Sequence, residues 1–371
     1  VSGAAGITGK YGNEVLSAFG RLWVTGVDND KSTIYWSDLL IGHDFSGGTS
    51  GSINLDKVWP DGYDEVVALS AHNNLLIIFG RHSIVVYQGA EAPATMALAD
   101  TVNGIGCVDR DTVQYTGTDV MFLSHTGLRS FRRVIQEKSM PITSLSKTIT
   151  KDIISLLQNE TESFRSIYSP EESFYLITFA GQTTTYCFDT RGTLEDGSYR
   201  VTRWPSSIFK AYERLQSGEV YIGTTHGISE YKGYTDNNAK YRFRYFSPSL
   251  TFGEPSRIKF LKKIKPTIIG ANNSPIFMKF AYDFDTDYRT TEFTTGSQIP
   301  AIYAVNEFHG DAPGTASVPL SEYTKGQLTS QTSLNAAGGG TSVVVGLESD
   351  INGFQLSLQE INILALIGKV L

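Results

Sequence analysis

The sequence predicts an all-β protein: a β-propeller of five or six blades, then a β-sandwich-like domain, with one short helix. Three observations predict it. A unit of strand, turn, apolar strand, turn and strand recurs five times before residue 235. The composition holds 19 Tyr, 20 Phe and 36 Gly, aromatics suiting pleated surfaces and glycines suiting turns. The repeat then stops after Tyr234, and strands of another spacing follow.

The apolar runs begin at Leu22, Leu75, Val120, Phe174 and Val220, at intervals of 53, 45, 54 and 46 residues. A turn signal precedes each run: Gly20-Arg21, Asn73-Asn74, Gly117-Thr118-Asp119, Pro170-Glu171-Glu172 and Ser217-Gly218-Glu219. After each comes a second strand ending in an aromatic, at Tyr35, Tyr87, Phe131, Phe188 and Tyr231. Another strand precedes each turn, around Val15, Val66, Val113, Ile167 and Ala211. One such sheet cannot cover both of its faces, so several must stack around an axis. A β-sandwich also has short strands, but it does not predict five evenly spaced copies. A sixth blade could be completed by chain before Val1.

One helix is expected near residues 144–158, where Leu145, Ile149, Ile153, Leu156 and Leu157 follow helical spacing and Ser144 or Ser146 offers a cap. The propeller is assigned residues 1–235. Residues 236–371 form the second domain, opened by the polar break Thr235-Asp236-Asn237-Asn238 and carrying strands such as Phe354–Leu358 that alternate cleanly. Within it, residues 308–341 are rich in Gly, Ala and Ser and are expected to form a long surface loop.

Composition narrows the function. The chain has 371 residues, 31 Lys and Arg against 38 Asp and Glu, and a formal net charge of −7. That balance argues against a general nucleic-acid coat or a membrane-surface binder. No stretch reaches the roughly 18 to 20 apolar residues of a membrane helix, and no signal-peptide pattern opens the chain. The lack of an initiator Met marks Val1 as a processed terminus or a point within a longer polypeptide. Cys107 and Cys187 sit in apolar runs and are expected to be buried free thiols, made in a reducing compartment.

Catalytic patterns are weak. Asp283, Asp285 and Asp287 could offer oxygens to calcium, but Tyr288 and Thr294 stand where a calcium loop needs Gly and Glu, so a solvated strand end is expected. His82, His125 and His226 recur at one turn of three repeats and read as turn residues rather than metal ligands. Gly104-Ile105-Gly106 lacks the third Gly and the context of a dinucleotide site. Asp109 with Asp111, and Glu171 with Glu172, are not spaced to converge. No enzyme chemistry, cofactor or metal is expected.

Two basic clusters stand against the acidic average. One is Arg129, Arg132 and Arg133, on the closing strand of the third repeat. The other is Arg242, Arg244, Arg257, Lys259, Lys262, Lys263 and Lys265, interleaved with Tyr241, Phe243, Tyr245 and Phe260. Strand alternation puts Arg242 and Arg244 on the face opposite Phe243 and Tyr245. The cluster is a polar outer face over an aromatic core, a phosphate contact or a subunit interface.

The runs Gly20–Gly26, Ser32–Asp38, Asp61–Asp64, Ile84–Gly89, Gly104–Val108 and Phe122–Ser130 together resemble the tail nozzle (hub, or tail tubular B) proteins of short-tailed bacteriophages. Phe246-Ser247-Pro248 and Phe354-Gln355-Leu356 resemble that family's terminal β-domain. The resemblance implies a structural virion protein in a ring, commonly hexameric, that continues the DNA-ejection channel below the head-to-tail adaptor and docks tail fibres or a needle. It implies a location in the virion tail after synthesis in the bacterial host cytoplasm, and genomic DNA crossing the lumen without sequence-specific binding. The family carries no catalytic residues. An acidic lumen would repel phosphates within a Debye length of roughly 8 to 10 Å; Arg242 to Lys265 would then serve subunit contacts. The alternative is a carbohydrate-binding or glycan-hydrolysing propeller, and after it a cellular scaffold for protein partners.

Overall fold

The computed structural model describes residues 7, 10–137, 144–159, 164–179, 183–205, 209–270, 273–295 and 329–370. The chain divides into two compact units, Val1–Tyr231 and Lys232–Leu371.

Five antiparallel sheets follow one another in the first unit. The first contains β1 (Glu14–Ala18), β2 (Arg21–Thr25), β3 (Thr33–Trp36) and β4 (Gly51–Asn54). The second contains β5 (Val66–His72), β6 (Leu75–Gly80), β7 (Ile84–Gln88) and β8 (Ala97–Val102). Strands β9 (Gln114–Tyr115), β10 (Val120–Ser124) and β11 (Gly127–Ser130) make the third. The fourth has β12 (Phe164–Ser169), β13 (Phe174–Phe179), β14 (Thr184–Thr193) and β15 (Tyr199–Pro205). The fifth has β16 (Phe209–Arg214), β17 (Val220–Thr224) and β18 (Gly227–Glu230). Strands pair in chain order within every sheet, so each is an up-and-down meander of the propeller type. The five apolar runs fall in β2, β6, β10, β13 and β17, as the repeat requires.

Local chemistry explains the hairpins. Asn73 and Asn74 both take positive φ, 49° and 59°, and join β5 to β6 with His72 opposite Leu75. Asn tolerates that left-handed region better than most residues, which suits a two-residue hairpin turn.

The sheets stack through alternating side chains. Leu76 and Ile78 of β6 enter one core with Trp23, Ile34, Trp36 and Trp59 of the first sheet and its β4–β5 connection. Ile77 and Phe79, pointing the other way, enter a second core with Phe122 of the third sheet. Met121 and Leu123 face a third core with Tyr175, Ile177 and Phe188. Ile167, Phe174 and Leu176 close a fourth against Phe209, Val220 and Ile222. A strand buried on both faces must be apolar at every position, which is why these runs are continuous rather than alternating.

Two expectations need correction. Phe131 does not end a strand; it begins a helix, α1 (Phe131–Glu137), whose Phe131 and Val134 pack into the second core. Arg132 and Arg133 therefore stand on a helix, and the chain has two α-helices among the described residues, not one. The second helix, α2, runs Thr150–Asn159 behind a 3₁₀ turn at Lys147–Ile149, later than its expected start. Ser144 and Ser146 do not cap it. The Ser146 hydroxyl accepts from the Leu128 N–H at 3.0 Å, and the Ser144 hydroxyl donates to the Leu128 carbonyl at 3.3 Å. Gly127 (φ 120°) permits this: a Cβ there would lie 2.6 Å from the Ser146 hydroxyl.

The second unit is a β-sandwich. One sheet holds β19 (Tyr241–Phe246), β21 (Pro275–Tyr282), β22 (Arg289–Thr294) and β26 (Val343–Ile351), in the order β19-β26-β21-β22. The other is built on β20 (Arg257–Gly270), which pairs on one side with β27 (Leu356–Val370) and on the other with β23 (Thr329–Gln331), β24 (Leu334–Asn335) and β25 (Gly339–Gly340). Leu261, Ile264 and Ile268 meet Ile276, Met278, Phe280, Val345 and Leu347 between the sheets. The expected loop at 308–341 is thus corrected in its last part, since Thr329–Gly340 supplies three short strands. Its residues 308–328 lie outside the described residues. Gly339 can pair with Phe260 because it lacks the Cβ that would sit 2.8 Å from that ring.

Candidate functional site

The basic cluster of the second unit is split between the two sheets. Arg242 and Arg244 lie on β19, whereas Arg257, Lys259, Lys262, Lys263 and Lys265 lie on β20. Arg242 is held by Glu348 at 2.7 Å and Asp350 at 3.0 Å on the paired strand β26. Arg244 stands 3.5 Å from Glu348, and Lys279 reaches it at 2.9 Å. Burial alone would raise the Glu348 carboxyl, but its hydrogen bonds to Arg242 and Lys279 outweigh that and hold it below the usual carboxylate range. These arginines are therefore internally matched, not a free phosphate cradle.

Lys259 is fully buried. Its ammonium donates to the backbone carbonyls of Glu254 and, at 2.7 Å, Thr341. It pins the chain entering β26 to the turn before β20. Arg257 pairs with Glu254 at 3.6 Å on an exposed surface. Lys262, Lys263 and Lys265 are exposed on the outer side of β20. A register shift between Leu261 and Lys263 turns Lys262 and Lys263 both outward. Phe260, Leu364, Leu366 and Ile367 lie exposed on the same strand pair, the two leucines each 56% exposed. The structure thus joins three lysines to an apolar outer strip, a neighbour that the basic residues alone did not reveal.

Charge also gathers among the first strands of the first unit's sheets. Glu14 of β1 faces Arg110 at 4.0 Å, Arg110 contacts Asp111 at 3.3 Å, and Asp111 holds Arg165 of β12 at 2.6 Å. Arg110 and Asp111 stand on a 3₁₀ turn (Arg110–Thr112) just before β9, so the chain of charges links the first and fourth sheets through that turn. Burial pushes the Glu14 carboxyl up to about 7, against the pull of Arg110 and a hydrogen bond from the Leu69 backbone; Asp111 and Asp109 push it further up. Asp109 accepts from the Asp111 and Phe164 N–H groups, so it serves as a local fastener. Sequence reading passed over Glu14 and Arg165. The available signal was a charge placed in the first strand of a repeat, beside residues that must enter a core.

The remaining candidates resolve structurally. Cys107 and Cys187 are free and buried, and burial pushes both thiols up to about 12. His82 and His125 stack with ring centres 5.7 Å apart, while His226 is exposed. His82 lies 3.5 Å from Asp64, whose carboxylate accepts the backbone N–H groups of Glu65, Arg81, His82 and Ser83. Gly106 packs on the Arg81 backbone, where a Cβ would come within 2.3 Å. Asp283 accepts from the Thr341 hydroxyl and the N–H groups of Thr341 and Ser342, and Asp285 accepts from the Asp287 N–H. Among the described residues no group of three or more His, Cys, Asp or Glu is arranged to hold a metal ion. No described helix is long and apolar enough to cross a membrane.

No protein-family model matches the chain, and no curated protein does. Solved structures overlap it in part. Hsv2 from Kluyvelomyces marxianus aligns at 11% identity over 59% of this chain and 59% of that one, with a TM-score of 0.33. The AfRom2 CNH domain aligns at 9% identity over 65% of this chain and 78% of that one, with a TM-score of 0.35. A protein of unknown function from Bacteroides caccae aligns at 11% identity over 60% and 78%, with a TM-score of 0.33. Overlaps at this level carry no conclusion about function.

Proposed function

We propose that the protein is a structural virion component: a tail nozzle subunit that assembles with its own copies into a ring, commonly a hexamer, below a head-to-tail adaptor. Genomic DNA crosses its lumen without sequence-specific contact, and tail fibres or a needle dock on it. The reading rests on the sequence resemblance, and the observation that carries it further is the outer side of β20 and β27. There, Phe260, Leu364 and Leu366 are exposed beside Lys262, Lys263 and Lys265. Strand β27 runs 15 residues and pairs with β20 alone among the described strands. A long edge with apolar neighbours invites pairing or aggregation unless something covers it. Subunit contact in a closed assembly covers it, with the three lysines meeting acidic surface of the neighbouring copy.

The test is negative-stain imaging and native mass measurement of the purified protein, alone and with the adaptor protein. Rings with a central channel are expected, and Leu364→Asp with Leu366→Asp should dissolve them while leaving the melting curve of the subunit in place. A monomer under every condition that binds glycan arrays overturns the proposal in favour of a carbohydrate-binding propeller. A ring with Lys262, Lys263 and Lys265 on the channel wall overturns their assignment to subunit contacts.

A further inference from the structure

We infer that neighbouring copies of this chain join by an apolar tip on the first unit of one copy, seated in an apolar groove on the second unit of the next. This contact presupposes the ring proposed above and supplies the acidic surface that meets its lysines.

The tip is Leu39, Leu40 and Ile41, in the connection from β3 to β4, and these residues are 49%, 83% and 41% exposed. A run of exposed apolar residues is unusual on a surface that meets only water. Leu40 also takes a φ of 59°, in the left-handed region that bulky residues avoid. Hydrogen bonds hold the tip in shape. The Leu40 N–H donates to the Gly20 carbonyl at 2.8 Å, and the Ile41 N–H to the Asp38 carbonyl at 3.2 Å. The Asp38 carboxylate accepts from the N–H groups of Leu39 and Thr49, each at 2.8 Å. A preformed knob loses little freedom on docking.

The groove lies in the sandwich between β19 and the first half of β27 and has a volume of about 600 Å³. Phe243, Leu250, Leu358, Ile361 and Ile363 give it apolar walls. Among the described residues β19 and β27 each pair on one side only, so the groove opens between two sheet edges. The twelve side-chain carbons of the tip, at roughly 30 Å³ each, need about 360 Å³ and fit.

Charge selects the pairing. Asp38 and Asp44 flank the tip, and hydrogen bonds from Thr49 to Asp38 and from Ser46 to Asp44 hold both carboxyls below the usual range, so both stay ionised. On the strand beside β27, Lys263 and Lys265 stand opposite Leu364 and Asn362. With Lys262 they outnumber Glu360, the acid in the groove lining. Tip on groove is therefore attractive and tip on tip repulsive, which sets the copies head to tail as a closed ring requires.

The test uses full chains under the conditions that give rings. Leu40→Cys and Ser357→Cys are made in separate chains, mixed and oxidised; the native Cys107 and Cys187 are buried. The mixture should yield a disulfide-linked dimer holding one of each, and neither variant alone should link. Leu40→Asp should weaken association about tenfold or more in a native-mass titration. Its subunit melting temperature should not fall, because Asp tolerates the left-handed region better than Leu. Rings that survive Leu40→Asp unchanged overturn the inference and leave the ring reading standing. So do Leu40→Cys chains that link to one another. Rings lost with Ser357→Trp but kept with Leu40→Asp also overturn it, giving the groove to another segment of the neighbour. Flotation of the wild type, but not of Leu40→Asp, with phosphatidylcholine vesicles overturns it by giving the tip to a bilayer. A wild-type chain that stays monomeric under every condition overturns both readings.

Discussion

Strand β6 of the first unit and strand β20 of the second solve the same problem in opposite ways. Every residue of Leu76–Phe79 is buried, because the second sheet is covered on both sides by its neighbours. Strand β20 buries Leu261, Ile264 and Ile268 on one side and exposes Phe260, Lys262, Lys263 and Lys265 on the other. A sheet between two sheets needs an unbroken apolar run, whereas a sandwich sheet needs alternation. The first covers the faces where its sheets meet one another. The second leaves a surface whose exposed apolar side chains call for a partner.

The difference is sharpest in core truncation. Phe79→Ala should cost about 3–5 kcal/mol in equilibrium denaturation, since Phe79 is fully buried with its ring 4.9 Å from Phe122 and 6.3 Å from Phe131. Leu364→Ala, on the open side of the sandwich, should change subunit stability by no more than about 0.5 kcal/mol. Equal costs would break the contrast between the two units.

Lys259→Ala tests the one basic residue that the sandwich took inside. It leaves the Glu254 and Thr341 carbonyls without their shared donor and opens a cavity, so a loss of about 2–4 kcal/mol is expected. Lys262→Ala beside it should be nearly silent in the same denaturation experiment.

Glu14 gives the first unit a dependence on pH. Burial lifts its folded carboxyl to about 7, above the ordinary carboxylate value of 4.5, so between those values the folded chain binds the extra proton. Stability from this group is therefore fully present below about 4.5 and is lost as the pH rises through about 7. Glu14→Gln should remove that slope, making the variant the more stable by on the order of 2 kcal/mol at pH 8 and not at pH 4.5. Parallel stability curves for the two proteins across that range would contradict the assignment.

The repeat was legible because covering both faces of a sheet forces continuous apolar runs, and Leu75–Phe79 shows that rule in five consecutive residues. The alternation expected at Phe354–Leu358 holds only in part, since residues 354 and 355 precede β27, which begins at Leu356. Helix α1 was not, because Phe131, Val134 and Ile135 make too short a stretch for helical spacing to stand out from strand spacing. Serines 144 and 146 looked like caps in sequence, since nothing local reveals that Gly127 opens room for them against β11. The basic cluster read as one patch because sequence cannot show that Glu348 and Asp350, about a hundred residues later, neutralise Arg242 and Arg244. Nor can it show that Lys259 is turned inward while its neighbours face out. Glu14 and Arg165 were missed for the same reason: their meeting through Arg110 and Asp111 exists only once the first and fourth sheets come together around the turn at Arg110–Thr112.

Strand β19 finds its ladder partner in β26, Tyr241 opposite Ile351, whereas each strand of the first five sheets pairs with the next one along the chain. During synthesis the early sheets can close hairpin by hairpin soon after they emerge. Residues 241–246 must wait, exposed, until more than a hundred later residues have been made, because a long loop has to be closed before any ladder bond rewards it. The nascent chain is therefore most vulnerable late, when Tyr241, Phe243 and Tyr245 are out and Val343–Ile351 has yet to arrive.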